Sequence, residues 1–546
     1  MGHLEQEEEK ITCKHIQSAD EFKNVVNNRE LTNVKTLKIT CSDFKALPSD
    51  VFNDFEQLSH LTMTFCNLSE FPFDALTGNL CELHLPHNNI CELKPEYFDQ
   101  LISLEYLNLE SNKIELLSEG VFSWLKNLKR LSLGDNTIRE ICSSAFGGLE
   151  KLEELNLQEN KIRDLAPNVF EGLTNLLSLN LKSNKIKILS PTVFSVLSKL
   201  KKIDLSGNQI DVVSESTFEL LSELTEIHLE TNDIDSIQEH SFENLIGLQQ
   251  LYLRGNDLSK LPENLFKTTL ALEVLDLEAN KFERIPKFDL PTLKHLSLRG
   301  NNLETLAYED FSGVPNLIIL ELKENKIKQL EASTFDALNC LRVLDLGSNN
   351  LNLLNASTFA GLSQLRSLDL SKNNIKTLEK GCFEGLNDLG MLNLGNNQIW
   401  KLSVGDFEEV PNLLSLLLND NKLRCLDVHS FKFLDKLKLL NLNGNDLNLN
   451  IDGHFDNLVE LRCLYLKSNA LNFVNKLSNN ELPKLSFLEV SDCEIFDCGK
   501  DVFENLPSLH FVGFCSNYLS SKELYAVKER YPHVTFFEEM NAQSAA

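Results

Sequence analysis

The chain lacks the short motifs that mark most enzyme active sites. Its 546 residues contain no Gly-x-Ser-x-Gly elbow, no His-Glu-x-x-His helix, no P-loop, no Gly-x-Gly-x-x-Gly turn and no Cys-x-x-Cys pair. The 12 histidines are scattered along the sequence. The sequence therefore predicts a protein that is not an enzyme and that binds no cofactor.

Long apolar runs are also missing. No stretch reaches the roughly 18 apolar residues that a membrane-spanning helix needs. The first ten residues are acidic and have no apolar core, so they do not resemble a signal peptide. The sequence as given favours a cytoplasmic location. An extracellular location applies instead if the chain is a fragment of a secreted or receptor protein.

Clustered cysteines are absent from both ends of the chain. The 13 cysteines are an odd number and are spread over the sequence, as is typical of reduced thiols. Only Cys13 and Cys41 suggest a disulfide bond, which would cross the beginning of the chain. Two Asn-x-Ser sequons make Asn67 and Asn355 candidate glycosylation sites, although two sequons are close to chance in a chain so rich in asparagine.

Positive charge is in the minority, since the sequence has 80 acidic and 52 basic side chains and a net charge of −28. Nucleic acids are bound largely by lysines and arginines that neutralise phosphates, and anionic membranes attract the same residues. The charge balance therefore predicts neither of these partners. It fits a solvated acidic surface, or a basic protein partner that is attracted by the field.

The sequence does contain a unit that recurs every 24 residues. The unit is Leu-x-x-Leu-x-Leu-x-x-Asn-x-Ile/Leu, as in the copy that runs from Leu152 to Ile162. It occurs in about 21 copies, and Ser42, Cys66 and Cys493 replace the asparagine in three of them. A fixed period of this kind predicts a solenoid, in which each coil buries its leucines against its neighbours.

Each position of the unit has a physical reason. The leucines point inward from one short strand, and the asparagine can bond backbone groups of its own coil and of the adjacent coil. We therefore predict a structural ladder that includes Asn160, Asn184, Asn208, Asn232 and Asn256. A phenylalanine recurs ten residues after the asparagine, as at Phe98 and Phe122, and predicts a filled spine behind the strands.

The unit resembles the leucine-rich-repeat superfamily, in the 24-residue class of Toll-like receptor ectodomains, small leucine-rich proteoglycans and Slit-like proteins. The resemblance covers residues 34 to 519. It implies an α/β solenoid shaped as a curved horseshoe, with a parallel β-sheet on the concave face and an irregular convex side. It also implies receptor-like recognition, in innate immunity or at the cell surface. The cysteine-rich caps that are usual in extracellular members are absent here.

The predicted domains follow from the unbroken register. Residues 1–33 form an N-terminal cap with a short helix at 19–28, and residues 34–519 form one solenoid domain. Residues 520–546 form a C-terminal helix–strand cap and a tail, beginning with the capping-box spacing Ser520-x-x-Glu523. The shortened repeat from Asn280 to Asn301 lacks the phenylalanine, and we interpret it as a seam within the domain.

Residues two, four and six places before the asparagine should face solvent on the concave sheet. They suggest two candidate binding surfaces. The acidic column consists of Asp276, Glu321, Asp345 and Asp369. The apolar concave surface consists of Met391, Leu417, Leu439, Tyr465, Phe487 and Phe511. Apolar residues in slots that should face water indicate an interaction surface, unless the C-terminal cap covers them.

A third group of polar residues surrounds His228. Glu226 and Glu230 share its strand face, and Asp204 and Tyr252 occupy the neighbouring slots. Asp204 and His228 would be close enough to share an ion. The set of ligands is incomplete, so we interpret the group as a polar ligand-facing surface and predict no metal.

Taken together, these features predict a non-enzymatic scaffold that recognises a protein ligand, basic in character on the charge argument, on its concave face. The alternative is an intracellular adaptor that organises a protein complex. A clear signal peptide would favour the first interpretation, and free thiols would favour the second.

Overall fold

A computed structural model describes residues 3–7, 9–26, 31–44, 47–447, 454–471, 473–474, 482–498 and 501–537. The chain divides into two compact units, residues 1–275 and residues 276–546. The predicted tail after Glu539 and the end of the helix predicted at 19–28 lie outside the described residues.

Most coils of the solenoid contribute a three-residue strand centred on the second leucine of the unit, whereas strands Thr36–Thr40 and His60–Thr64 have five residues. Strand Glu154–Asn156 surrounds Leu155, for example, and pairs in parallel with Ser178–Asn180 so that Leu155 lies opposite Leu179. Both leucines are buried. The alternation of one inward leucine between two outward residues produces the sheet, and the predicted parallel-strand solenoid is confirmed.

Residues 1–275 begin with an antiparallel hairpin, His3–Glu7 and Lys10–Lys14, which the repeat pattern did not predict. Helix Ala19–Val26 follows and buries Phe22 and Val26. The strands that continue the sheet in this unit are Thr36–Thr40, His60–Thr64, Glu82–His84, Tyr106–Asn108, Arg130–Ser132, Glu154–Asn156, Ser178–Asn180, Lys202–Asp204, Glu226–His228 and Gln250–Tyr252. The division between the units falls within strand Val274–Asp276.

Residues 276–546 repeat the same arrangement. Their strands are His295–Ser297, Ile319–Glu321, Val343–Asp345, Ser367–Asp369, Met391–Asn393, Ser415–Leu417, Leu439–Asn441, Cys463–Tyr465, Phe487–Glu489, Phe511–Gly513 and Thr535–Phe537. Helix Ser521–Arg530 precedes the last strand, and its first turn is closed by the capping box of Ser520 and Glu523.

The side of the coils away from the main sheet has little regular structure. It contains pairs of two-residue parallel strands: Leu116–Leu117 with Glu140–Ile141, Val212–Val213 with Ser236–Ile237, Lys401–Leu402 with Cys425–Leu426, and Phe473–Val474 with Asp497–Cys498. The 3₁₀ helices are Phe73–Ala75, Pro95–Phe98 and Tyr308–Asp310. No helix in the described part of the chain has the length and apolar character to cross a membrane.

The recurring phenylalanines form the predicted spine. The rings of Phe194 and Phe218 are 6.4 Å apart and nearly parallel, and Phe242 continues the stack 6.1 Å from Phe218. All three side chains are buried. The stacked rings form a continuous apolar row behind the strands.

The asparagines form hydrogen bonds within and between coils. Nδ2 of Asn160 donates to the carbonyl oxygen of Leu157 at 3.1 Å and to that of Leu133, in the preceding coil, at 2.9 Å. Its Oδ1 accepts from the backbone N–H of Ile138 at 2.9 Å. The same bonds recur at Asn184, Asn208, Asn232 and Asn256. Each side chain thereby satisfies backbone groups that would otherwise be buried without partners.

The turn before each asparagine requires a left-handed residue. Gly207 and Gly255 occupy this position with φ of +66° and +65°, whereas Thr231 occupies it with φ of +55°. A β-branched side chain is unfavourable in this conformation. The turn geometry therefore recurs whether or not the sequence provides a glycine.

The shortened coil from Asn280 to Asn301 packs closely against the coil that follows. Leu290 donates its N–H to the carbonyl oxygen of Gly313 at 2.9 Å. A Cβ atom added at Gly313 would collide with the carbonyl group of Phe288. The two backbones approach until only glycine fits, as they also do at Gly361 and Gly385 in regular coils.

The disulfide bond suggested between Cys13 and Cys41 is not formed in the structure. Cys41 is a free, exposed thiol, whereas Cys13 is buried and lies opposite Ile39 in the parallel sheet. The side chain of Cys13 belongs to the core, while Cys41 follows the strand in a left-handed turn with φ of +51°. The two residues therefore face different environments.

Candidate ligand-binding site

The apolar concave surface lies on adjacent strands of the second unit. The strand register places Leu439 beside Cys463, Cys463 beside Phe487, and Phe487 beside Phe511. Met391 is 41% exposed and Phe511 is 44% exposed, while Leu417, Leu439 and Tyr465 are half-buried. The six predicted residues are therefore on one face of one sheet.

Phe487 departs from the expectation that all these side chains face solvent, since it is only 8% exposed. Its ring lies 5.1 Å from the ring of Tyr465. On the other neighbouring strand, the ring of Phe511 stacks on Phe537 at 5.7 Å. The ring of Tyr465, on the preceding strand, packs against Phe487, and Phe511 lies directly beside it on the following strand. The burial of Phe487 therefore depends on neighbouring coils as well as on its own position in the unit.

The last strand extends this surface rather than hiding it. Phe537 belongs to strand Thr535–Phe537, which pairs in parallel with Phe511–Gly513. The C-terminal cap therefore adds an aromatic ring beside Phe511, which stays exposed. Sequence reasoning predicted this strand but did not assign Phe537 to the surface, because the residue follows the last complete repeat.

Glu489 was also missed. It lies between Tyr465 and Gly513 in the sheet and is 8% exposed. Its Oε1 accepts a hydrogen bond from the backbone N–H of Ser491 at 2.9 Å. Glu489 lies four residues before Cys493, a position that was expected to face solvent. Its burial could not be predicted from that position, because it depends on the residues of the neighbouring coils.

The acidic column bonds to its own backbone. Oδ1 of Asp345 accepts from the N–H of Gly347 at 2.9 Å, and Oδ1 of Asp369 accepts from Ser371 N–H at 2.7 Å. Burial raises the pKa of Asp345, and the nearby Asp369 adds to this effect. These carboxylates stabilise the turn after each strand.

The other two members of the acidic column are engaged in the same way or with a histidine. Oδ1 of Asp276 accepts from the N–H of Glu278 at 2.9 Å. Oε2 of Glu321 lies 2.9 Å from Nε2 of His295, and that hydrogen bond lowers the pKa of Glu321 despite its partial burial. Much of the charge of the column is therefore committed within the protein.

The polar group around His228 is assembled as a network in the first unit. Its imidazole bonds to Glu226 and Glu230 and stacks on Tyr252 with 4.6 Å between ring centres. Asp204 instead accepts from Ser206 Oγ at 2.6 Å. No cluster of three or more metal-ligating side chains occurs among the residues that the structure describes.

The two sequon asparagines differ in environment. Asn67 is exposed, and its Nδ2 donates to Oδ1 of Asp43 at 2.9 Å. Asn355 is half-buried, and its Nδ2 donates to the carbonyl oxygen of Leu330 at 3.3 Å. Glycosylation at either site stays a prediction.

A solenoid with an open parallel sheet and variable side chains on that sheet defines a binding scaffold. The model of the Leucine rich repeat family matches segments that together cover more than half of the chain: residues 78–138, 126–186, 151–210, 175–234, 198–258, 291–351, 341–399 and 391–447. The chain belongs to the leucine-rich-repeat family. No curated protein sequence matches it.

Several solved structures share the fold. TLR13 in its complex with ssRNA13 is 24% identical, with 96% of this chain and 91% of that chain covered and a TM-score of 0.50. A leucine-rich-repeat protein of Leptospira interrogans is 22% identical, with 96% and 99% covered and a TM-score of 0.51. The Toll–Spatzle complex of Drosophila is 18% identical, with 97% and 91% covered and a TM-score of 0.58. Identities this low show the fold alone.

Proposed function

We propose that this chain is a scaffold that captures a protein ligand on its apolar concave surface. The observation that carries the proposal is the row of exposed and half-buried apolar side chains from Met391 to Phe511 on an open sheet face. Aromatic residues that a ligand can desolvate supply a large share of binding energy. The acidic column is the weaker candidate because it consists of carboxylates and offers a ligand little apolar area to desolvate.

A protein ligand fits the charge of the chain better than a nucleic acid does. The net charge of −28 repels phosphates and attracts a basic partner. Among the similar structures, TLR13 is seen with ssRNA13 and Toll with Spatzle, so the fold itself accommodates either class of ligand. Recognition in innate immunity or at the cell surface is the role that the resemblance to receptors suggests.

An intracellular adaptor is the second candidate, and the cysteines favour it. Cys41, Cys91 and Cys425 are free and exposed, a state that a reducing compartment maintains. In this role the same concave surface would hold one member of a complex. The two candidates differ in location and not in the surface that they use.

Photo-cross-linking tests the surface. The photo-reactive residue benzoylphenylalanine, placed at position 417 or at position 439 of the full chain, should cross-link one and the same ligand protein. Placed at position 188, where Ile188 is 69% exposed in the first unit, it should not cross-link that protein. Tyr465→Ser combined with Phe511→Ser should abolish the cross-link. The matched control is Ile188→Ser with Ile246→Ser, which removes apolar groups that are 69% and 68% exposed.

A second pair of variants tests the acidic column. Asp345→Asn with Asp369→Asn removes two charges and keeps the acceptor oxygens, since Asn393 in the same column accepts from Gly395 N–H at 3.0 Å. The cross-link should persist in this variant. If it disappears while the aromatic variant still cross-links, the ligand binds the acidic column and the proposed surface is wrong.

A further inference from the structure

Glu489 is an enclosed carboxylate whose charge has no counter-ion in the described part of the protein. Its Oε1 bonds to Ser491 N–H, while its Oε2 has no hydrogen-bond donor among the described residues. No lysine, arginine or histidine of those residues lies within ion-pair distance of it. An enclosed carboxylate in this state is unfavourable, and a cation from outside would compensate it.

Gly513 makes room for this carboxylate. The residue lies directly beside Glu489 in the parallel sheet. A Cβ atom added at Gly513 would collide with the carboxylate group, which therefore leans across the glycine. The position of the charge thus depends on the missing side chain of the next coil.

Aromatic rings flank the carboxylate on both sides. Tyr465 is its neighbour on one strand, with Phe487 packed 5.1 Å away, and Phe537 lies beyond Gly513 with Phe511 stacked on it. Burial raises the pKa of Tyr465, and the charge of Glu489 adds to this, so the phenol stays neutral. Ring faces attract cations, and the attraction grows when water is excluded.

We infer that Glu489 and the rings around it form a site for the cationic side chain, lysine or arginine, of a protein ligand. The inference rests on the proposed function, because it assigns the chemistry of one contact on the same surface. The charge is supplied by Glu489, the contact area is supplied by the rings, and the net charge of −28 favours the approach of a basic partner. An aliphatic group in this place would leave the carboxylate uncompensated.

Saturation-transfer NMR on the full chain tests the site with small probes. N-acetyl-arginine amide and N-acetyl-lysine amide distinguish the two cations, and N-acetyl-citrulline amide is the neutral analogue of arginine. At least one cationic probe should bind, and citrulline should bind about tenfold more weakly or not at all. Equal binding of citrulline, or no binding of either cation, would overturn the inference.

Two variants locate the binding. Glu489→Gln keeps an oxygen for Ser491 N–H and should weaken the cationic probe about tenfold. Gly513→Ala should have a similar effect by displacing the carboxylate. Glu154→Gln is the matched control, because it removes an exposed carboxylate from strand Glu154–Asn156 in the first unit. If Glu154→Gln weakens binding as much as Glu489→Gln, the probe senses only the overall charge and the inference fails.

The probes also separate this inference from the proposed function. If the arginine probe binds at Glu489 but no protein cross-links at positions 417 and 439, the cation site is supported and the proposal of a protein ligand is wrong. If the cross-link requires Tyr465 and Phe511 but is unchanged by Glu489→Gln, the proposal of a protein ligand is supported and the cation site is wrong.

Discussion

Nε2 of His228 lies 2.6 Å from Oε1 of Glu226 on the same strand. That oxygen is also 2.6 Å from Nζ of Lys202, and Nδ1 of His228 is 2.9 Å from Glu230. Burial lowers the pKa of His228, but the hydrogen bonds to Glu230 and Glu226 outweigh it and raise the pKa above 6.5. Burial raises the pKa of Glu226, but Lys202 and His228 outweigh it and lower that pKa.

This arrangement predicts a pH-dependent contribution to stability. Because the folded pKa of His228 is raised, its contribution is complete below the unfolded value of 6.5 and is lost as the pH rises through the folded value. His228→Gln should therefore lower the urea midpoint more at about pH 6 than at about pH 8. The control is His240→Gln, whose pair with Glu243 is exposed. An equal loss at both pH values would contradict the prediction.

Asn256→Ala tests the hydrogen bonds of the ladder. The side chain donates to Leu229 O and Leu253 O, both at 2.9 Å, and accepts from Ile234 N–H at 3.1 Å. Its loss should lower the free energy of unfolding by about 1–3 kcal/mol. Hydrogen exchange should accelerate at Ile234, while exposed Asn168→Ala should change neither quantity. A thermal melt identical to that of the wild type would exclude this account of the ladder.

Gly313→Ala tests the close approach at the shortened coil. The new methyl group would collide with Phe288, so the backbones must separate at a cost of about 1–3 kcal/mol. Gly247→Ala is the control, since its Cβ would lie 3.8 Å from the nearest atom, Leu224 O. Chemical denaturation should show a loss for the first variant only. Equal midpoints would mean that this coil adjusts without strain.

Thr231→Gly should stabilise the protein. Thr231 has φ of +55°, a conformation that is unfavourable for a β-branched residue and free for glycine. The gain should be up to about 1 kcal/mol, because the greater freedom of glycine in the unfolded chain offsets part of the strain. Thr174→Gly, at an exposed position without positive φ, should instead destabilise. A destabilised Thr231→Gly would show that the threonine contributes contacts worth more than the strain.

The reactivity of the thiols should follow their burial. Burial raises the pKa of Cys66 and of Cys493 to about 12, and it raises that of Cys382 as well. These three thiols should react with an aromatic disulfide reagent only on unfolding. The exposed thiols Cys41, Cys91 and Cys425 should react at once in the native protein. If titration in denaturant without reductant finds only one thiol among the 13 cysteines, the other 12 form six disulfide bonds. That result would contradict the proposal that the protein is an intracellular adaptor.

The repeating parts of the fold were predictable because every coil has its apolar residues at the same positions and buries them against its neighbours in the same register. Leu155 and Leu179 are buried opposite each other, as their positions in the unit require. The hairpin of His3–Glu7 and Lys10–Lys14 has no repeat and few apolar residues. Its strands form because an edge of the sheet is available to pair with, and that depends on the rest of the fold.

The candidate site was only partly predictable for the same reason. Leu417 and Tyr465 lie on the same face of the main sheet because a position in the unit determines a face of the sheet. The burial of Phe487 and Glu489 depends on which side chains the adjacent coils place beside them. The pattern of a single coil contains no information on that pairing, so neither the burial of Phe487 nor that of Glu489 could be predicted from it.

The ladder also determines how either unit responds to mechanical force. Each ladder asparagine bonds within its own coil and to the preceding coil: Asn184 bonds to Leu181 in its own coil, to Ile162, 22 residues away, and to Leu157, 27 residues away. Tension on one end of a unit would therefore load one interface at a time, because no bond of the ladder bypasses a coil. The unit would open in steps of 24 residues, each releasing about 80 Å of chain. The coils beyond the opened interface would keep their own bonds and would provide the template on which the released segment rewinds.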